Sequence, residues 1–321
     1  MEEFILGAYV FSLSILFLFG SHGFVMIYYY FKNKDKNPVE KADQGELPMV
    51  TVQLPVYNEL YVVERLIDAV CALDYPREKL EIQVLDDSND ETVDVVATAV
   101  EAKRAQGYDI VQVRRENRVG FKAGALRYGM EIAKGEFIAI FDADFVPRPN
   151  FLNDTLRHFT NDGIGMVQTR WEHLNNEFSL LTRAQGIALD GHFVIEQQVR
   201  NKSGFFINFN GTAGVWRREC IVDAGNWQDD TLTEDLDLSY RAQLKGWKFV
   251  FLNAVTSPAE LPSEINALKS QQFRWTKGAI ETAKKILPRV WKSDLSLGMK
   301  LECTVHLTNN LVFPCILLTG I

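Results

Sequence analysis

The chain opens on a long apolar run, with no charged residue from Phe4 through Phe31. That exceeds the roughly 20 apolar positions a helix needs to cross hydrocarbon, so 1–31 is expected to be a transmembrane helix. The acidic start Met1-Glu2-Glu3, and the lack of a small-residue cleavage pattern after Tyr28-Tyr29-Tyr30, set it apart from a secretory signal. Beyond a polar linker, 32–48, short apolar runs alternate with segments of helical period, the pattern of a parallel sheet covered by helices on both faces. Strands are expected at 49–54, 80–85, 110–113 and 137–141, with helices at 59–73, 92–105 and 120–133. Phe137-Ile138-Ala139-Ile140-Phe141 is apolar throughout and reads as a buried central strand. After a globular domain over 49–290, the region 291–321 reads as an interfacial helix followed by an apolar stretch, 311–318, that stops at Ile321. Further transmembrane helices are expected in the intact molecule.

Charge and composition narrow the class. Lys32, Lys34, Lys36 and Lys41 follow the first apolar run, and the positive-inside tendency places the globular domain in the cytosol. The expected location is a plasma or inner membrane, or the Golgi in a eukaryote. A net charge of -8 argues against a nucleic-acid surface, which needs a concentrated basic face. Cys71, Cys220, Cys303 and Cys315 lack paired spacing or a histidine partner pattern, which argues against zinc and against a disulfide framework. There is no Walker lysine loop, and Gly120-Phe121-Lys122-Ala123-Gly124 does not match the dinucleotide fingerprint. Kinase and dehydrogenase readings lose ground accordingly.

Polar residues cluster where the expected strands end: Pro55-Val56-Tyr57-Asn58-Glu59, Asp86-Asp87, and Asp142-Ala143-Asp144. In an open parallel sheet, ligands bind beyond those carboxyl ends. Pro55, Asn58, Glu59, Asp86 and Asp87 are therefore expected on the donor side, joined by Lys122 near a helix start where a diphosphate would be favoured. Asp142 and Asp144, one residue apart, suit a Mg²⁺ or Mn²⁺ ion whose shell is completed by phosphate oxygens. The segment 231–245 reads as a helix opened by a capping box, Thr231-Leu232-Thr233-Glu234. Glu234 and Asp235 in its first turn suit the helix dipole, and Asp235 is the candidate base for an acceptor hydroxyl. Gln271, Gln272, Arg274 and Trp275 fall within about one helical turn, where Arg274 offers a fork to phosphate and Trp275 a flat face to a sugar ring. Asn210, Gly211 and Thr212 follow an aromatic cluster and suit a loop closing on the acceptor sugar. His158, His173 and His192 lack ligand spacing and read as structural.

Taken in order, Gln83-Val84-Leu85-Asp86-Asp87-Ser88, Lys122-Ala123-Gly124-Ala125-Leu126, Ala139-Ile140-Phe141-Asp142-Ala143-Asp144-Phe145, the segment 209–217 and Gln271-Gln272-Phe273-Arg274-Trp275 resemble known signatures. They are similar to those of membrane-embedded family 2 glycosyltransferases of the cellulose synthase superfamily, in the cellulose synthase-like branch with the plant mannan and glucomannan synthases. The resemblance implies a GT-A nucleotide-sugar-binding sheet with flanking transmembrane helices, and inverting transfer of glucose or mannose from UDP or GDP to a growing β-glycan. It implies that Asp86 holds the nucleotide, Asp142 and Asp144 the metal and diphosphate, and that Asp235 is the base. Gln271, Arg274 and Trp275 would then bind the diphosphate and the acceptor-side sugar. Transfer of a single sugar to a lipid is the alternative, since ceramide glucosyltransferases share the Asp and Gln-x-x-Arg-Trp signatures.

Overall fold

The computed structural model describes residues 2–41 and 45–320; positions 42–44 of the expected linker lie outside them. Along the chain come α1 (Glu2–Asn33), β1 (Val50–Val56), α2 (Val63–Cys71), β2 (Leu80–Asp86), α3 (Thr92–Ala105), β3 (Asp109–Val113), α4 (Phe121–Ile132), β4 (Phe137–Ile140) and α5 (Phe151–Leu156). They are followed by β5 (Ile164–His173), α6 (Leu180–Asp190), a π-helical turn (Gly191–Gln197), α7 (Gln198–Ser203), β6 (Gly214–Arg217), α8 (Arg218–Asp223), α9 (Glu234–Leu244), β7 (Lys248–Ala259), α10 (Ile265–Lys292), α11 (Leu297–Thr308) and α12 (Val312–Thr319).

Seven strands pair in the order β3-β2-β1-β4-β6-β5-β7. β2 and β4 are buried at every position; β4 is apolar throughout, as a strand covered on both faces requires, whereas β2 also buries Glu81, Gln83 and Asp86. The parallel pairing expected for the first four strands is found, within a seven-stranded sheet that is mixed as a whole. β1 to β4 are parallel, but β6 runs antiparallel to both β4 and β5. The reason is positional: β6 begins with Gly214 opposite Ile140, at the carboxyl end of β4, so the chain has already crossed to that edge and must run back. Because the chain moves outward from β1 to β2 and β3, then returns to β4 on the other flank, a topological switch point lies between β1 and β4.

Helices cover the sheet by the expected periodicity. In α2 the buried set Val63, Leu66, Ile67, Val70 and Cys71 follows i, i+3, i+4, i+7, i+8, one apolar face turned to the strands. That helix starts later than the expected residue 59, after a turn in which Asn58 adopts φ 56°. Pro55 lies inside a central strand without breaking it, because pairing between β1 and β4 ends at Gln53 and Ile140. One core packs α2, α3 and α5 on one face; a second packs α4, α8 and α9 on the other around Trp216 and Trp227. A third joins α9, α10 and α11 through Phe206, Tyr240, Ile286, Val290 and Leu307. Two stretches, Glu2–Asn33 and Leu297–Thr319, are long and apolar enough to cross a membrane. The expected apolar stretch at 311–318 is thus the end of a longer unit, and α12 packs along α1.

One buried ion cluster pins α9 to α10. Asp237 is fully buried, 2.7 Å from Arg241 Nη2 and 2.9 Å from Lys285 Nζ. Removing the carboxylate leaves the buried Arg241 without a counter-charge, while Lys285 keeps Asp230 at 2.6 Å, so Asp237→Ala is expected to lower the unfolding free energy by about 3–5 kcal/mol. Urea unfolding followed by tryptophan fluorescence checks this, and a loss below about 1 kcal/mol would show the cluster to be energetically idle.

Candidate active site

Three strand ends and two helix starts converge at the switch point. β1 delivers Asn58, whose amide donates to Ser88 Oγ at 2.9 Å, while its side chain and Asn89 exchange hydrogen bonds of 3.0 and 3.1 Å. These bonds zip the turns after β1 and β2 together. Asp86 ends β2 with its side chain fully covered: it accepts from the Ser88 amide at 2.9 Å, from Gln112 Nε2 at 2.7 Å and from Arg114 Nη1 at 3.3 Å. Its carboxylate therefore faces Gln112 and Arg114, and Arg114 is the half-exposed member of the pair. Asp87 receives both Nε and Nη2 of Arg115, which also donates to the carbonyls of Val119 and Phe121. That fork fixes the turn into α4, where Gly120 adopts φ 76° and an added Cβ would lie 2.6 Å from Asp229 Oδ2. The guanidinium of Arg118, meanwhile, lies over the Tyr57 ring, 3.2 Å from its centroid. Gln112, Arg114 and Arg115 do not stand out in the sequence, although Gln112 lies in β3 and the two arginines directly follow it at the same edge.

Lys122 on α4 stands at the centre. Its ammonium donates to Asp142 Oδ1 at 2.5 Å and to the Gly211 carbonyl at 3.0 Å. The Asp142 amide donates to Thr212 Oγ1 at 2.8 Å, locking the segment 205–212 against the end of β4. Gly211 adopts φ +80°, and a Cβ there would sit 3.2 Å from Asp235 Oδ2, so the backbone approaches that carboxylate as only glycine allows. Asp235 and Glu234 open α9, but the expected helix start at Thr231 and its capping box are corrected. The helix begins at Glu234, and Thr233 turns its hydroxyl to Thr282 Oγ1 at 3.1 Å instead of capping. Gly278 makes this contact possible, since a Cβ there would meet Thr233 Cγ2 at 2.6 Å.

The structure brings Asn58, Asp86, Asp87, Lys122, Asp142, Asp144, Asn210, Gly211, Thr212, Glu234 and Asp235 to one edge, with Glu59 near enough to feel the Asp142 charge. Pro55 stays within β1, half-buried. Trp275 on α10 reaches the site through rings: it lies 6.5 Å from Trp171, which lies 5.4 Å from Phe145 next to Asp144. Gln271 and Arg274 ride on the same exposed part of α10, and among the described residues Arg274 has no ion-pair partner. His158 is structural as expected, 3.0 Å from the Val39 carbonyl. His192 has both ring nitrogens engaged, 3.0 Å from Glu196 Oε2 and 3.1 Å from the Asn210 side-chain nitrogen.

Residues 48–278 match the family described as glycosyltransferase like family 2. The chain belongs to glycosyltransferase family 2. The probable glucomannan 4-beta-mannosyltransferase 7 of Oryza sativa subsp. japonica is 46% identical over 267 residues, 81% of this chain and 46% of that protein. Glucomannan 4-beta-mannosyltransferase 2 of Arabidopsis thaliana is 41% identical over 279 residues, 83% of this chain and 52% of that protein. The chain spans about half the length of these curated relatives. In fold it is similar to the mannosyltransferase PcManGT from Pyrobaculum calidifontis, solved in complex with GDP-Man and Mn²⁺, with a TM-score of 0.74 at 19% identity over 98% of this chain and 84% of that one. It is also similar to S. aureus TarS in complex with UDP-GlcNAc, with a TM-score of 0.59 at 16% identity over 82% of this chain and 72% of that one.

In this family 2 domain the site is crowded with negative charge. Burial and the neighbouring Asp142 push Asp144 up to about 7. Burial, joined by Glu234, also raises Asp235, and burial raises Glu234. Partial desolvation with the charges of Asp142 and Asp90 raises Glu59. Burial alone would depress the Lys122 ammonium, yet Asp142, Glu234 and Asp235 hold it above its ordinary value. One cation thus faces several carboxylates that repel one another, and Asp142 with Asp144 presents the hard oxygen donors that Mg²⁺ or Mn²⁺ takes.

The raised Asp144 has a thermodynamic consequence. Between the ordinary carboxylate range and about pH 7 the folded state binds more protons at this group than the unfolded state, so its contribution to stability falls as pH rises. Metal-free Asp144→Asn is expected to melt above wild type at pH 8, by roughly 4–8 °C, with the margin closing towards pH 4. Thermal scans in chelator across that range check it, and a margin independent of pH would rule out ionisation of the buried Asp144 as its cause.

Proposed function

We propose that this chain carries the catalytic part of a membrane hexosyltransferase. It moves mannose, or glucose, from a GDP- or UDP-sugar to a growing β-glycan with inversion at the anomeric carbon. The observation that carries this reading is the grouping of Asp142, Asp144, Glu234 and Asp235 around Lys122 at the switch point of the sheet. The curated relatives, glucomannan 4-beta-mannosyltransferases, favour mannose and a glycan acceptor over a lipid.

In this reading Asp142 and Asp144 would hold Mg²⁺ or Mn²⁺, which when bound neutralises charge on the departing nucleoside diphosphate. The chain's own residues supply the rest. Asp86 orients Arg114 and Gln112, and Asp87 orients Arg115, so that the donor side is fixed before substrate arrives. Lys122 adds a cation beside the diphosphate, with Asn58 and Glu59 at the mouth of the cleft, and Gln271 and Arg274 on α10 close from above. Asp235 accepts the proton of the acceptor hydroxyl as that oxygen attacks the anomeric carbon and the nucleoside diphosphate leaves. Its raised pKa, closer to the working pH than an ordinary carboxylate, makes it a more effective proton acceptor. Trp275, with Asn210, Gly211 and Thr212, shapes the acceptor side, the indole stacking on the sugar's C–H face.

The domain over 49–290 would face the cytosol, with α1 and the α11 and α12 pair in the bilayer and Lys32, Lys34, Lys36 and Lys41 on the inner side. Membranes holding the intact protein, given GDP-mannose, GDP-glucose, UDP-glucose and UDP-mannose with Mn²⁺ or Mg²⁺, are expected to yield an oligosaccharide ladder from one donor and none in chelator. Asp235→Asn is expected to lose about 10²–10⁴-fold in transfer while retaining donor binding. Normal turnover by that variant would remove the base, and a single glycolipid product would remove the glycan acceptor.

A further inference from the structure

Outside the carboxylate cluster, a set of interior polar contacts gathers along one edge of α11. Glu302 and His306 are four residues apart and so share a face of that helix. Glu302 meets two partners: His22 Nε2 of α1 lies 3.1 and 3.0 Å from its two oxygens, and Arg200 Nη1 of α7 lies 3.4 Å from Oε2. His306 Nδ1 lies 2.7 Å from the Tyr240 hydroxyl of α9. Arg200 is only 1% exposed and Glu302 8%, so these are interior contacts. Two side chains therefore connect α11 to α1, α7 and α9.

Each connection continues to the candidate active site. Arg200 Nε donates to the Phe206 carbonyl at 2.9 Å, at the start of the segment that ends in Gly211 and Thr212. Just upstream, Gln197 donates to the Asn208 carbonyl at 2.9 Å and to Asn210 Oδ1 at 2.7 Å. Gln197 and His192 belong to the π-helical turn, a widened geometry that recurs at functional sites. Tyr240 lies on α9 five residues beyond Asp235, and between them Ser239 Oγ accepts from the Phe209 amide at 2.8 Å. A shift of α11 would move both the 205–212 segment and the helix bearing Asp235. The hydrogen bonds of Gln112, Arg114 and Arg115 after β2 and β3 have no link to this edge among the described residues, and α4 meets the 205–212 segment through Lys122 at the Gly211 carbonyl. Buried ion pairs are weak sources of stability, because apolar replacements often do as well, but they enforce geometry. A polar ring such as His22, placed in a run without charged residues from Phe4 to Phe31, is costly unless engaged.

We propose that the Glu302 and His306 edge of α11, clasped by His22 and Arg200, is a positioning strut that sets the acceptor-side loop and Asp235 according to how the apolar helices are seated. This inference rests on the hexosyltransferase reading, and the readouts separate the two. In full-length protein in nanodiscs, Glu302→Ala is expected to speed amide hydrogen exchange across 205–212 while leaving the amides of β1, β2 and β4 unchanged. It is also expected to lower kcat by about 10–100-fold, with nucleotide-sugar affinity kept within about twofold, since small misplacements of reacting groups are costly. Glu302→Gln, which keeps an acceptor for His22 and Arg200, is expected to recover most of both. Unchanged exchange at 205–212, or parallel losses of sheet protection, donor affinity and turnover, would overturn the strut. Loosened exchange in a protein that transfers no hexose would leave the strut standing and overturn the activity.

Discussion

The molecule is organised around one electrostatic constraint, several carboxylates held near a single ammonium at the edge of a sheet. Lys122 can satisfy Asp142 directly, but it cannot neutralise Asp144, Glu234 and Asp235 as well. The result is a site whose charged forms are partly disfavoured until more positive charge arrives. Like charges gathered at such a site are stable only because the surrounding structure over-determines their positions.

That over-determination is visible in the backbone. The segment 205–212 is fastened at three residues: Gln243 exchanges bonds of 3.1 and 2.7 Å with Ile207, Ser239 accepts from Phe209, and Gln168 accepts from the Asn210 amide at 2.9 Å. α9, which supplies two of those fasteners, is itself held by the buried Asp237 cluster and by the close approach of α10 at Gly278. Packing distant from the carboxylates therefore determines their spacing. The side proposed for the donor is built differently, from arginine forks that tie the turns after β2 and β3 to one another. Two separately supported halves meeting at a switch point suit a reaction in which one substrate is held while another is brought to it.

Much of this was legible in the order of residues. Phe137 to Ile140 was readable as a buried strand because a strand covered on both faces has no polar side to show. The apolar face of α2 was likewise readable from its spacing, and Asp142, Asp144 and Asp235 stood out because acidic residues at strand ends and helix starts converge once the sheet is parallel. Other features were not legible. β6 joins the sheet antiparallel because of where the chain has travelled, which no local period encodes. Thr231 and Glu234 have the form of a capping box, yet Thr233 instead meets Thr282 from a helix about fifty positions away in sequence. Arg114 carries no signal in its local sequence, and only the pairing of β3 with β2 brings it to Asp86.

The sequence alone therefore determined the local propensities: which runs are strands, which faces are apolar, which stretches are long enough to enter a bilayer, and which residue types could do transfer chemistry. Tertiary structure alone decided direction, burial and partnership. It buried Asp86 beneath Arg114, set Gly211 against Asp235, and turned His22, Arg200 and Glu302 from three isolated polar residues into one contact. The physical reason is range: periodicity and capping act within a few residues, whereas hydrogen bonds and desolvation depend on neighbours that only the folded chain brings together.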